Sequence, residues 1–398
     1  MNSKSAPQGA QGLIAQTTRG QRFFTSRARI LTAIAAALTL ATAAMPASAA
    51  TTANWWSASP SIPVGSGYIN VRNFGAMGNG VTDDTAAFQA AINALPASGG
   101  VIVVPSGTYM IDATKSINMR SNTRLSLWAD ATLQAIPNNA SFAAVVKAWN
   151  VSNVEILGGH IEGERSHHLG TNGMGYGISI QEASQVYVHD ITLSDNWGDG
   201  ILVGTTSGWR TFTPSSNVTL TRVTASNNRR QGLSITAANH VYVVYSSFNG
   251  SNGTAPQAGI DIEPQTLGPA SQIRIESSGM SNNLGNGVEI HDNVTDVVVT
   301  GSTAVSNHGF GIFMLGTNNV TVTHDTLSLN YLFGVDVDAA TNTVQLSNNS
   351  ITYNGAAWLV AHNQSLYTLG YQPRDITIDS TAVNVTQSNN VISPLRSP

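Results

Sequence analysis

Residues 287–314 read GVEIHDNVTDVVVTGSTAVSNHGFGIFM, and this stretch decides the fold. It opens on a glycine followed by alternating residues, Gly287-Val-Glu-Ile, and closes on the same device, Gly311-Ile-Phe-Met. Between them lie a second alternating run, Asp296-Val-Val-Val, and a lone Asn307 four residues before the second glycine. Reading outward, all three features recur. The glycine-led runs start at Gly177, Gly200, Gly232, Gly259, Gly287, Gly311 and Gly334, at spacings of 23, 32, 27, 28, 24 and 23. The polar-led runs start at Asn153, Gln185, Asn217, His240, Gln272, Asp296 and Asn319. The asparagines are Asn196, Asn228, Asn283, Asn307 and Asn330, with Ala255 in that place before Gly259.

Strict alternation marks half-buried strands, and a fixed repeat marks a stacked architecture. One coil of some two dozen residues cannot bury its own apolar face, so coils must stack and share one interior. Asparagine tolerates left-handed backbone and can hydrogen-bond along a stack of identical turns. The pattern predicts an all-β, single-stranded right-handed parallel β-helix. The residues one and three places after each glycine face inward, and those two and four places after it face outward.

Composition limits the alternatives. The 398-residue chain has no cysteine, which excludes disulfides, thiolate metal sites and cysteine nucleophiles. The first 49 residues hold five basic residues (Lys4, Arg19, Arg22, Arg27, Arg29), no acid, an apolar run from Ile30 to Ala44, and Ala47-Ser48-Ala49. This is the order of a secretory signal, so the expected location is secreted or periplasmic. Without those five, Lys and Arg fall from 18 to 13 against 22 Asp and Glu, a net charge of −9. So acidic a chain is unsuited to nucleic acid, and after signal removal no membrane association is expected. The expected organisation is a signal over 1–49, a linker over 50–65 and one β-helix domain over 66–398. That domain divides into a cap (66–110) and coils (about 111–392), as a monomer or a trimer.

The entrance is the most specific local motif: Gly78-Asn-Gly-Val-Thr-Asp-Asp-Thr followed by Ala87-Phe-Gln-Ala-Ala-Ile. Thr82 or Asp83 is placed to cap a helix from about Asp84 to Leu95, whose apolar stripe would cover the open end of the solenoid. The motif lacks the Gly-Lys-Ser/Thr of a phosphate-binding loop. It resembles the N-terminal cap of the pectate-lyase-like β-helix superfamily, and with the repeats the resemblance covers roughly residues 66–392. That group holds polygalacturonase-like hydrolases, polysaccharide lyases, uronan epimerases and phage tailspikes. The resemblance implies a polysaccharide substrate and leaves the reaction open.

The outward columns carry the candidate chemistry. Two residues after the glycines they give Ser179, Leu202, Ser234, Asp261, Glu289, Phe313 and Asp336; four after, Glu263 and His291; one before, Tyr176, Asp199, Gln231 and Asn286. Stacked coils place Glu289 on Asp261 and His291 on Glu263, each about 4.8 Å apart. Asp199, Asp261, Glu263 and Glu289 are the candidate catalytic carboxylates. Trp197, Arg229, Arg230, Gln231, His291, Asp292 and Tyr176 are the candidate substrate-binding residues, and Glu162, Glu164, His167 and His168 a candidate cleft edge. Asp336 and Asp338 read as a solvated charged face. Two carboxyl groups roughly 5 to 9.5 Å apart suit hydrolysis of a glycosidic bond, which needs neither cofactor nor metal. The alternative is a lyase or epimerase, in which Arg229, Arg230 and His291 serve and Ca²⁺ held by carboxylates neutralises a uronate. A third reading is a glycan-binding β-helix without catalysis. Asn196-Trp-Gly-Asp199 carries one residue more than the polygalacturonase Asn-x-Asp, and the Asp-Pro-His of alginate epimerases is absent.

Overall fold

A computed structural model describes residues 54–206, 213–356 and 375–393. The expected export signal lies outside the described residues, as does part of the loop Thr205–Ser216. Within the described residues every strand pairing is parallel and joins one coil to the next, and the strands form a 22-stranded and a 10-stranded sheet. The chain is a parallel β-helix, as the repeat predicts.

The ten-stranded sheet is one wall of the solenoid and holds the glycine-led runs. Its strands are β1 (Ile117–Asn118), β2 (Phe142–Trp149), β3 (Met174–Gln181), β4 (Ile201–Gly204) and β5 (Leu233–Ile235), then β6 (Ile260–Ile262), β7 (Val288–Ile290), β8 (Ile312–Met314), β9 (Val335–Val337) and β10 (Ile376–Ile378). Ile178 and Ile180, Ile260 and Ile262, and Val288 and Ile290 are fully buried, so inward pointing follows the expected alternation. The polar residues that open the second series share one conformation: Asn153, Gln185, Asn217, His240, Gln272, Asp296 and Asn319 all have φ between 54° and 60°. That left-handed region suits short polar side chains and turns the coil from wall to wall.

The asparagine ladder is real and longer than the sequence shows. Asn283 Nδ2 donates to Asn307 Oδ1 (2.9 Å), Asn307 to Asn330 (3.0 Å), Asn330 to Asn354 (2.9 Å) and Asn354 to Asp375 Oδ1 (3.0 Å). The break before Gly259 is not at Ala255. Ser251 takes the ladder position, because the chain between it and Gly259 runs out as a longer turn, and its N–H donates to Asn283 Oδ1 (2.9 Å). A hydroxyl is too short to bridge the stack, so Asn228 Nδ2 and Ser251 Oγ are left buried without partners. A second ladder at another corner runs Ser246, Ser278, Ser302, Asp325, Asn349 and Asn390.

At the entrance, α1 spans Thr85–Ala94 and buries Phe88, Ala91 and Ile92 on the first coils. The helix starts one residue later than expected. The N-cap residue is Asp84 rather than Thr82 or Asp83, and its side chain makes no cap bond: it turns back to accept from the N–H groups of Met77 (2.7 Å) and Gly78 (3.0 Å), while Asp83 Oδ1 accepts from Thr85 N–H (3.0 Å). Gly78 has φ 60° and a Cβ there would stand 2.7 Å from the Tyr109 ring, so the loop needs glycine.

Residues 54–65, read as a linker, run extended along the outside of the larger sheet. Trp56 lies under the Arg274 guanidinium (4.5 Å) and Trp55 meets His240 edge-on (4.9 Å). Ala58 O accepts from Tyr187 Oη (3.0 Å) and Thr221 Oγ1 (2.9 Å), and Gly65 N–H donates to Asn122 O (3.0 Å). The segment thus crosses successive coils like a strap.

Candidate functional site

Coil register is the condition on which the site depends, and it holds. Ser179, Leu202, Ser234, Asp261, Glu289, Phe313 and Asp336 are consecutive partners across β3 to β9. The residues before the glycines stack as well: the N–H groups of Gly177, Gly200 and Gly259 donate to the carbonyls of Asp199, Gln231 and Asn286. Acids and amides from distant segments therefore meet on one outer wall.

Asp261 and Glu289 occupy adjacent coils, 2 % and 6 % exposed. Gln231 Nε2 donates to Asp261 Oδ2, and Asn286 Nδ2 donates to Glu289 Oε1 (2.7 Å). His291 Nε2 lies 3.1 Å from Glu289 Oε2 and 3.5 Å from Asp261 Oδ1. Asp261 Oδ1 itself has no hydrogen-bond partner among the described residues. Burial, then the Glu289 charge, push the Asp261 carboxyl well above the usual carboxylate range. Burial opposes charge on His291, but the bond to Glu289 and the charges of Asp261, Glu289 and Glu263 outweigh it and hold the imidazolium up to about 9.

A polar row leads from this cluster to Asp199, which is fully buried on the coil two before. Asp199 Oδ2 accepts from Arg230 (3.1 Å) and Ser234 Oγ (2.7 Å), while Ser234 also lies 2.5 Å from Gln231 Oε1. The single hydroxyl proton serves one acceptor at a time, so Ser234 donates to either Asp199 or Gln231. Burial outweighs the pull of Arg230 and Ser234 and holds the Asp199 carboxyl above its ordinary range.

Aromatic side chains lie on both sides of the acids along the axis. Downstream, Phe310 stacks with Phe313 (5.3 Å) and Phe333 (6.1 Å). Upstream, Phe142 packs against Trp149 (5.4 Å) and Tyr176 (5.2 Å), with Lys147 Nζ over Phe142 and Trp149 at 5.1 and 4.7 Å. Burial lowers the Lys147 pKa, and burial with Asp199 nearby raises that of Tyr176.

The structure thus gathers Asp199, Asp261, Glu289, Arg230, Gln231 and His291, with Tyr176 beside Asp199. Glu263 is half-buried at the edge and acts by its charge on Asp261, Arg230 and His291. Asp292 stands exposed in the turn after β7. Trp197 and Arg229 engage each other, with the guanidinium 4.0 Å from the ring centroid and His168 stacked on the same indole at 3.9 Å. His168 Nδ1 in turn meets Glu164 Oε1 at 3.0 Å. This group holds the Trp197 indole between the Arg229 guanidinium and the His168 ring. Asp336 is raised to about 7 by burial and then by Asp338 and Asp379, so it is not a simply solvated acid.

Sequence reasoning assigned no role to Ser234, Asn286, Phe142, Lys147 or Trp149. Ser234 shares the Asp261 column and Asn286 precedes a repeat glycine, so column membership was the available signal. Phe142, Lys147 and Trp149 sit on β2, whose run lacks the glycine that marks the repeat. On the other walls, Arg124, Glu155, His189, Asp190 and Arg222 form a continuous polar chain across four coils, with ion pairs at its two arginine ends.

Comparison with known proteins agrees with the fold. A family described as "Rhamnogalacturonase A/epimerase, pectate lyase-like" matches residues 68–126. A family described as "Right handed beta helix region" matches residues 134–266 and 266–393. The uncharacterised protein YclG of Bacillus subtilis (strain 168) is 27 % identical over 374 residues, covering 79 % of this chain and 62 % of that protein. Mannuronan C5-epimerase AlgE1 of Azotobacter vinelandii is 28 % identical over 323 residues, 79 % of this chain and 17 % of its own length. The chain therefore spans less than two thirds of these relatives. Among solved structures, the Azotobacter vinelandii AlgE4 A-module superposes with a TM-score of 0.60 at 18 % identity, covering 83 % of this chain and 97 % of that one. The Streptococcus pneumoniae surface adhesin PfbA does so at 0.59 and 16 %, covering 82 % and 90 %. With the stacked coils, the asparagine ladder and family matches running over most of its length, the chain belongs to the pectate-lyase-like right-handed β-helix superfamily.

Proposed function

We propose that the protein is an exported enzyme that cleaves glycosidic bonds of a polysaccharide lying along the ten-stranded wall. The observation that carries this reading is the pair formed by Asp261 and Asp199. Asp261 is a buried carboxyl whose proton Glu289 helps to retain, and Asp199 lies two coils away beside Arg230. Two coils correspond to about 9.4–9.8 Å along the axis, at the upper limit of the ~6.5–9.5 Å that leaves room for a water between two catalytic carboxyls. Asp261 gives its proton to the glycosidic oxygen as the bond to the anomeric carbon breaks. Water attacks that carbon and passes its proton to Asp199, whose charge Arg230 favours. The aromatic groups on either side supply stacking surfaces for flanking sugars.

A second reading is elimination or epimerisation at a uronate. Lys147 favours it, because this half-buried ammonium makes no ion pair among the described residues and could neutralise a carboxylate. Relatives bearing epimerase names add weight to it. A panel of neutral and acidic polysaccharides separates the two: new reducing ends without unsaturated-uronate absorbance mean hydrolysis, absorbance means elimination, and a changed uronate composition with neither means epimerisation. Asp261→Asn is expected to abolish turnover while the folded protein keeps its unfolding midpoint. Turnover at wild-type rate in that variant would refute the assignment.

A further inference from the structure

We propose that Asp261, Glu289 and His291 form a binding site for one divalent transition-metal ion. The three residues offer one ligand atom each, all within 4.8 Å of one another. His291 Nε2 stands 3.1 Å from Glu289 Oε2 and 3.5 Å from Asp261 Oδ1. Ligands at about 2.0–2.1 Å around a tetrahedral zinc ion lie about 3.3 Å apart, so the spacing requires little movement.

Two observations distinguish this group from an ordinary acidic patch. Asp261 is 2 % exposed and its Oδ1, on the side of His291, has no hydrogen-bond partner among the described residues. Each carboxylate is also fixed through its other oxygen by a neutral amide, Gln231 for Asp261 and Asn286 for Glu289 (2.7 Å). That is the arrangement by which outer partners orient metal ligands. Asp261 Oδ1 and Glu289 Oε2 then stand on either side of one imidazole nitrogen. A nitrogen with two carboxylates suits Zn²⁺, Mn²⁺ or Co²⁺, whereas Ca²⁺ takes six to eight oxygens.

The metal occupies the atom that the proposed cleavage uses as proton donor, so bound ion blocks turnover. That consequence rests on the proposed function, whereas binding does not. The test is calorimetric titration of chelator-treated full-length protein with ZnCl₂, MnCl₂ and CaCl₂, checked by metal analysis after desalting. The expected result is one saturable Zn²⁺ or Mn²⁺ site, weakened more than about 100-fold in His291→Ala and about 10–100-fold in Asn286→Ala. The exposed-loop control His324→Ala should bind as wild type. Thermal midpoints of the metal-free variants exclude misfolding, with His291→Gln as the replacement if His291→Ala fails to fold. Absence of saturable binding, binding unchanged in the His291 variants, or tighter binding of Ca²⁺ than of Zn²⁺ would each overturn the proposal. A protein that binds Zn²⁺ but in its metal-free form cleaves no polysaccharide would instead refute the reading of its function.

Discussion

Replacing Asp325 by asparagine should stabilise the protein at neutral pH, and the ladder shows why. Asp325 is 1 % exposed in a stack otherwise built of serine and asparagine. Its Oδ1 accepts from Ser302 N–H (2.6 Å), its own N–H donates to Asn349 Oδ1 (2.9 Å), and its Oδ2 is buried without a partner. Asn349 one coil on uses the equivalent atom, Nδ2, to donate to Asn390 Oδ1 (3.0 Å) and Val322 O (2.9 Å). At position 325 an acceptor stands where the stack needs a donor. Burial raises this carboxyl from its ordinary 3.8 to about 7. Below the unfolded value both states hold the proton. Between the two values the unfolded chain releases it while the folded chain keeps it, so stability falls as pH rises, and above the folded value the deficit is constant. A shift of about 3 units at 1.36 kcal/mol each sets a ceiling of about 4 kcal/mol. Asparagine supplies the missing donor at every pH. Urea unfolding should show the variant about 2–4 kcal/mol more stable near pH 8 and within about 1 kcal/mol of wild type near pH 4. A variant less stable at pH 8, or an advantage that does not change with pH, would refute the reasoning.

Two further substitutions test the scaffold. Asn307 makes four side-chain hydrogen bonds within the first ladder, so Asn307→Ala should cost about 3–5 kcal/mol in urea unfolding. A cost below 1 kcal/mol would mean that the ladder is ornament rather than support. Gly78→Ala forces a Cβ onto the Tyr109 ring at a positive φ and should lower stability by about 2 kcal/mol, read as a lower thermal midpoint with Zn²⁺ affinity at the Asp261 cluster retained.

Much of the architecture was legible because coil stacking converts sequence period directly into spatial register. Gly259 and Gly287 align Asp261 with Glu289, and the pairing of β6 with β7 realises that alignment residue for residue. What escaped were features set by variable turns. The shift of the ladder position to Ser251 depends on how the chain from 252 to 258 is looped. The engagement of Trp197 by His168 and Arg229 depends on a polar loop with no repeat. The upstream aromatic group was hidden for a different reason: β2 carries Val145 opposite Gly177, so the marker glycine is missing from that run.

The strap formed by residues 54–65 bears on the order of assembly. Its docking partners Tyr187, Thr221, His240 and Arg274 come from four separate coils that lie 120 or more residues further along the chain. A segment that leaves the ribosome early therefore has nowhere to settle until the middle of the molecule exists. This early segment is among the last to find its place, and until then Trp55 and Trp56 lack their partners His240 and Arg274.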